Sequence, residues 1–266
     1  MKGLNGKTAI VTGGSRGIGK AAAGRLLEEG VSVLFCGRNE QTGLATLAGF
    51  REKYGDRAFF IACDMKERDT PALLVSKARE LFGDPDFLVN NAFPFTAKAL
   101  DATYEDWMHA FMAGPAAYAR MIAEFVRQRE RREGAVVCVS SISGHIAQPF
   151  RWTYNAAKGA VKQLTRCAAM DLAPAIRVNC VSPGWVWTDE VAKATSDGTR
   201  ESAPQAWKEY HLLQELQEPE QIAATIAFLL SDDAAVITGH DLYADSGYLT
   251  MGPEGLGKTA NFAGSM

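Results

Sequence analysis

The stretch Thr12-Gly13-Gly14-Ser15-Arg16-Gly17-Ile18-Gly19 decides the fold, because the apolar run Ala9-Ile10-Val11 leads into it and an Ala-rich run that reads as a helix leads out. A strand that ends on such a turn lets the backbone approach a pyrophosphate closely. It also aims the free N–H groups and positive dipole end of the following helix at the same point. A dinucleotide is the expected ligand. The spacing from Gly13 is Gly-x-x-x-Gly-x-Gly rather than Gly-x-Gly-x-x-Gly, and glycine-rich turns alone give false matches. The competing reading is a turn that needs glycine only for its backbone angles, so the rest of the chain has to decide.

Outward from this turn, strand-like apolar runs alternate with helix-length segments: Thr8 to Val11, Val31 to Cys36, Ala58 to Cys63, Phe87 to Val89, Ala135 to Val139, Arg177 to Val181 and Asp241 to Ala244. Runs apolar on both faces, separated by helices, are what a buried parallel sheet covered on each side requires. The expected fold is α/β, a doubly wound parallel sheet of about seven strands in a single domain over residues 1–250. A Gly-rich tail, 251–266, is expected to wrap a surface or a subunit partner.

The chain has 266 residues, enough for one large core. A net charge of −3 and a pI near 5.9 lack the basic footprint of a nucleic-acid binder. The local cluster Arg127, Arg129, Arg131 and Arg132 reads as the solvated end of a helix. Cys36, Cys63, Cys138, Cys167 and Cys180 are odd in number and show no Cys-x-x-Cys spacing. That predicts reduced, mostly buried thiols, a cytoplasmic location and no metal site. No segment reads as a signal peptide or a membrane span.

The second strand ends in Cys36-Gly37-Arg38-Asn39, where dinucleotide folds place a carboxylate on the adenosine ribose. None is present. Arg38 beside Asn39, with Arg16 in the glycine turn, can instead converge on a 2′-phosphate, which favours NADP(H) over NAD(H). The alternative is two ordinary surface arginines. Asp64 and the Met65 backbone close the third strand, where Asp64 can meet the adenine amino group or simply make a turn. Asn90-Asn91-Ala92 ends the fourth strand, and its amides can tie strands together or touch the adenosine.

Chemistry is expected between Ser141 and Lys158. Tyr154 and Lys158, four apart in a helical stretch, share one helix face. An ordinary tyrosine titrates near ~10, and a neighbouring ammonium lowers that. Taken alone, Tyr-x-x-x-Lys also describes a helix surface pair.

In combination these motifs resemble the short-chain dehydrogenase/reductase family from about Gly6 to about Tyr248. The glycine pattern falls on Thr12 to Gly19, including Gly13, Ser15, Gly17, Ile18 and Gly19; the Asn-Asn-Ala segment contributes Asn91 and Ala92. The family's Pro-Gly segment falls on Pro183-Gly184, followed by Val186 and by Thr188, a contact to nicotinamide carboxamide or phosphates. The resemblance implies a Rossmann-like fold, hydride transfer at a nicotinamide ring and a homo-oligomer, tetramer or dimer. It also implies a Ser-Tyr-Lys site: Tyr154 exchanges the proton, Ser141 bonds the same substrate oxygen, and Lys158 lowers the Tyr154 pKa and holds the nicotinamide ribose. Ser141 rather than Ser140 or Ser143 fits, because it alone precedes Gly144 by three residues and Tyr154 by thirteen.

Two positions depart from the family pattern. Phe93 stands where Gly usually follows Asn-Asn-Ala, and Gly114, seven residues after Trp107, stands where the family has an Asn that supports a proton-relay water. The following Pro115 lacks an N–H, so one expectation is that a freed carbonyl holds the water and that Gly114→Asn changes turnover only a few-fold. The other is that Gly114 merely permits close packing. Expected pocket residues are Phe93, Phe95, His145, Gln148, Trp152, Trp185 and Trp187. Trp185 and Trp187 read equally as core, and His145 as a satisfied loop residue. Residues 189–216, helical near Val191 and from Ala206 to Leu212, resemble a substrate lid. The implied function is NADP(H)-dependent reduction of a carbonyl or oxidation of an alcohol. A non-catalytic cofactor-binding sensor or scaffold is the rival reading.

Overall fold

The computed structural model describes residues 1–130 and 133–252. The chain runs β1 (Thr8–Val11), α1 (Gly17–Glu28), β2 (Ser32–Gly37), α2 (Glu40–Tyr54), β3 (Ala58–Ala62), α3 (Thr70–Phe82) and β4 (Phe87–Asn90). It continues through α4 (Tyr104–Met112), α5 (Pro115–Arg127), β5 (Gly134–Val139), α6 (Trp152–Leu172) and β6 (Ile176–Pro183). The last elements are α7 (Asp189–Ala192), α8 (Gln205–Glu209), α9 (Pro219–Leu230) and β7 (Asp241–Ala244).

All seven strands form one parallel sheet in the order β3-β2-β1-β4-β5-β6-β7. The sequence order reverses between β1 and β4, and that switch point opens a crevice at the carboxyl ends of the strands. Two-residue alternation feeds two cores. Ala9, Val11, Val33, Phe35 and Val137 pack with Leu26, Leu27, Ile226 and Leu230 of α1 and α9 on one face. Ile10, Leu34, Leu88 and Val136 pack with Leu74, Met121, Phe125 and Val161 of α3, α5 and α6 on the other. Burial on both faces is why these strands read as continuous apolar runs.

β6 is longer than its apolar run predicts, because Ile176 to Val181 pairs with β5 and Cys180 to Pro183 with β7. Arg129 corrects the expectation of a solvated arginine cluster. It is buried, its guanidinium 4.2 Å from the centroid of the Phe125 ring and bonded to the Glu133 carbonyl. Arg131 and Arg132 lie outside the described residues, as does the expected tail from residue 253. Among the described residues no helix is long and apolar enough to cross a membrane.

Candidate active site

The glycine turn is shaped by close approach. Gly13 and Gly17 sit at φ +68° and +52°, and a Cβ on Gly13 would lie 2.8 Å from the Ala92 Cα. Gly19 is packed against the Gly13 carbonyl and the Asn91 amide, inside the first turn of α1 rather than on the cavity wall. Asn91 Nδ2 donates to the carbonyls of Thr12 (3.0 Å) and Gly13 (3.1 Å), while Thr12 Oγ1 accepts from the Asn91 and Ala92 N–H groups. Asn91 therefore ties β4 to the end of β1. No side chain caps the start of α1 and no acidic residue occupies its first turn. These N–H groups and the room beside Gly13 and Gly17 fit a pyrophosphate.

A cavity of about 630 Å³ runs from this turn across the strand ends. Ser15, Arg16, Ile18, Arg38, Asn39, Asp64 and Met65 line its adenosine end. Arg38 is exposed, whereas Arg16 pairs with Glu190 of α7 at 2.8 Å. Asp64 makes the turn reading concrete, accepting from the Lys66 N–H at 2.9 Å, and it also faces the cavity. Pro183, Gly184, Val186 and Thr188 line the opposite wall. That segment is pinned from beyond α8: Gln217 Oε1 accepts from the Gly184 N–H at 2.9 Å, and His211 Nε2 from the Trp185 N–H at 3.2 Å.

Ser141, Tyr154 and Lys158 meet at the centre. Ser141 caps a short 3-10 turn, Ile142–Gly144, that follows β5, and its Oγ accepts from the Ser143 N–H. It also donates to Ser143 Oγ, which in turn donates to Gln148 at 2.6 Å. Lys158 Nζ donates to the Val139 carbonyl at 2.9 Å, an oxygen that also accepts from Tyr118 at 3.3 Å. Burial disfavours charge on both central groups. It pushes the Tyr154 phenol up to about 12, against the Ser141 hydrogen bond and the Arg151 charge that favour its ionised form. It pulls the Lys158 ammonium down to about 7. Ser140 is turned away, its Oγ on the Lys158 carbonyl.

The two departures from the family pattern form one feature. The Phe93 ring lies with its centroid 3.7 Å from Lys158 Nζ, edge-on to Tyr154 (5.6 Å) and Tyr118 (6.1 Å). A Cβ on Gly114 would come within 2.7 Å and 2.9 Å of that ring and 2.5 Å from the Ala110 carbonyl oxygen. Gly114 thus admits the ring that covers Lys158. Of the two readings of Gly114, close packing is the one this geometry supports, because a side chain there and the ring would compete for the same space.

The substrate end is lined by Phe93, Phe95, Gln148 and Trp185. His145 and Trp152 lie off the cavity, a correction to the expected pocket. His145 faces β7 instead, with Nε2 2.8 Å from Asp241 and Nδ1 2.8 Å from Lys162 Nζ. Trp152 is exposed and Trp187 is also off the wall, with the Arg200 guanidinium 5.9 Å from its ring. The sequence reading missed Arg151, His109 and Trp207, which all face the cavity. Only Arg151 carried a signal: it lies three residues before Tyr154, on nearly the same helix face.

Residues 13–249 match the family model described as enoyl-(acyl carrier protein) reductase. The chain is 34% identical to human dehydrogenase/reductase SDR family member 2, mitochondrial, over 93% of this chain and 88% of that protein. It belongs to the short-chain dehydrogenase/reductase family, whose members are oxidoreductases acting on CH–OH and carbonyl groups. The chain is also similar to sorbose reductase of Schizosaccharomyces pombe, at 34% identity over 93% and 98% of the two chains. The crystal structure of L-sorbose reductase from Gluconobacter frateurii, complexed with NADPH and L-sorbose, superposes with a TM-score of 0.88. That match has 27% identity and covers 94% of this chain and 98% of the other.

Proposed function

We propose that the protein is an NADP(H)-dependent carbonyl reductase or alcohol dehydrogenase working through Ser141, Tyr154 and Lys158. The observation that carries this reading is the convergence of the three side chains on the cavity that also receives the glycine turn. NADPH bound here supplies a hydride to the carbonyl carbon. Tyr154 gives its proton to the carbonyl oxygen, the direction a phenol held neutral by burial favours. Ser141 orients that oxygen from its fixed turn. Lys158 stabilises the phenolate left behind, and its position fits a contact to the nicotinamide ribose. Gly13, Ser15, Gly17 and the start of α1 would hold the pyrophosphate, with Thr188 opposite. Arg16 and Arg38 would hold a 2′-phosphate, and the NADPH complex of the sorbose reductase supports that preference.

Residues 189–216 form the substrate lid in this reading, carrying α7 and α8 beside the cavity. Exposed apolar side chains on α4 and at the start of α6, among them Tyr104, Met108, Phe150 and Trp152, support a homo-oligomer. Free thiols support a reducing, cytoplasmic location.

The test is NADPH consumption across ketones, aldehydes, keto-sugars and β-keto acyl compounds. We expect turnover that Tyr154→Phe abolishes. A protein that binds NADPH yet turns over nothing would favour the sensor reading, for which the observation is the Phe93 ring covering Lys158 Nζ.

A further inference from the structure

We propose that Arg151 recognises an anionic group on the substrate, and that the physiological substrate is a carbonyl compound, or its alcohol, bearing a carboxylate. The proposal rests on the oxidoreductase reading and adds the substrate class to it.

Arg151 is the residue before α6 and lines the cavity. Its guanidinium is held between two aromatic rings, 5.8 Å from the Phe95 centroid and 5.6 Å from that of Trp185. Trp185 is itself backed by Trp207, their centroids 4.7 Å apart. The positive charge acts on the phenols of both Tyr154 and Tyr248. Arg151 therefore sits at the reacting centre, on the substrate side.

Ring neighbours at these distances leave the edge of the guanidinium, which carries five N–H donors. No hydrogen bond or ion pair among the described residues occupies that edge. The other cations on the cavity wall differ. Arg16 has Glu190, Lys158 has the Val139 carbonyl, and Arg38 lies at the adenosine end. Of the three carboxylates on the wall, Asp64 accepts from the Lys66 N–H, Glu190 pairs with Arg16 and Lys193, and Asp189 opens α7 near Arg16, Gly17 and Lys20, at the glycine-turn end.

A half-buried guanidinium on the cavity wall, with its donor edge unpartnered, favours a planar anion that can take two parallel N–H bonds. A carboxylate has that shape. The remaining wall, Phe93, Phe95, Trp185 and Trp207, suits an apolar spacer between the two polar ends. In the reaction, a hydride from NADPH forms the new C–H bond and the Tyr154 proton forms the O–H bond. The carbonyl becomes the alcohol, NADPH becomes NADP⁺, and the carboxylate stays unchanged on Arg151.

Full-length protein with NADPH should be offered acids and their methyl esters as pairs: acetoacetate, 4-oxopentanoate and 5-oxohexanoate. Hydroxyacetone phosphate and hydroxyacetone form a further pair. Hydrogen bonds to a charged group predict an acid favoured over its ester by about 10-fold or more in kcat/KM at one spacing. Arg151→Met should collapse that ratio towards one, mainly through KM, and Arg151→Lys should restore part of it. Binding is read separately from turnover, by quenching of tryptophan fluorescence in a Tyr154→Phe background. Acids that quench it, and cease to do so when Arg151→Met is added, support Arg151 as the anion site even if no compound is reduced, an outcome that would count against the oxidoreductase reading and not against that site. Esters equal to acids, quenching indifferent to Arg151, equal losses on both members of a pair, or a preference confined to the phosphate would each overturn it.

Discussion

Gly114→Asn puts the coupling between Phe93, Gly114 and Lys158 to a direct test. The new Cβ would stand 2.5 Å from the Ala110 carbonyl oxygen and 2.7 Å from the Phe93 ring, so ring and side chain cannot both keep their places. Overpacking of this kind costs about 1–3 kcal/mol. Moving the ring off the buried Lys158 ammonium, now 3.7 Å from its centroid, removes a desolvated cation–π contact of about 2 kcal/mol. The combined cost is about 3–5 kcal/mol, or a fall in Tm of roughly 6–20 °C for a domain of this size. Thermal melting reads it, together with kcat/KM on whichever ketone the wild type reduces, which should fall as Lys158 loses its cover.

The control is the same substitution in a Phe93→Ala background. Removing the ring is costly in itself, about 3 kcal/mol, but it vacates the space the asparagine needs. Gly114→Asn should then cost at least about 1 kcal/mol less than in wild type, a coupling that distant sites do not show. A Tm within about 1 °C of wild type for the single variant, or equal penalties in both backgrounds, would refute the reasoning.

Lys158→Met should abolish activity yet flatten the pH dependence of stability. The ammonium titrates near 7 in the fold and near 10.5 unfolded, so between those values the unfolded chain binds more protons and wild-type stability rises with pH. From pH 7 to pH 9 that contribution is about 2 kcal/mol, and urea midpoints of the two proteins should diverge accordingly; parallel slopes would contradict the buried-ammonium assignment. Gly19→Ala drives a methyl into the Gly13 carbonyl and the Asn91 amide, and should weaken NADPH binding by more than about 10-fold with a lowered Tm. Retained affinity in titration would show that the turn is not built as described. Glu190→Gln frees Arg16 from a partly exposed pair worth up to ~1 kcal/mol. NADPH should bind a few-fold more tightly at low salt and NADH hardly differently, whereas an equal gain for both would place Arg16 away from the 2′-phosphate.

What the sequence made legible follows the range of the interactions concerned. The seven strands stand out because both faces of the sheet are buried, so Val33, Leu34 and Phe35 are all apolar although they serve two different cores. Ser141, Tyr154 and Lys158 are legible because a turn and one helix set their spacing. Helix geometry also explains one error and one omission at the start of α6. At about 100° per residue, Trp152 lies roughly 200° from Tyr154 and faces away, while Arg151 lies within about 60° of it. His145 was misplaced for another reason: its partner Asp241 is 96 residues away, on a strand whose register no local pattern reveals.

Phe93 and Gly114 mark where local reading stops. Taken singly, a ring in place of glycine narrows a pocket and a glycine in place of asparagine deletes a relay. Across 21 residues of chain they are one exchange of volume, ring for amide, since the glycine leaves the room the ring fills. The consequence reaches the chemistry. Lys158 keeps a carbonyl partner and gains an aromatic cover, whose quadrupole offsets only part of the burial cost that pulls the ammonium down to about 7. The ring thus stands against both the ammonium and the space a side chain at position 114 would need.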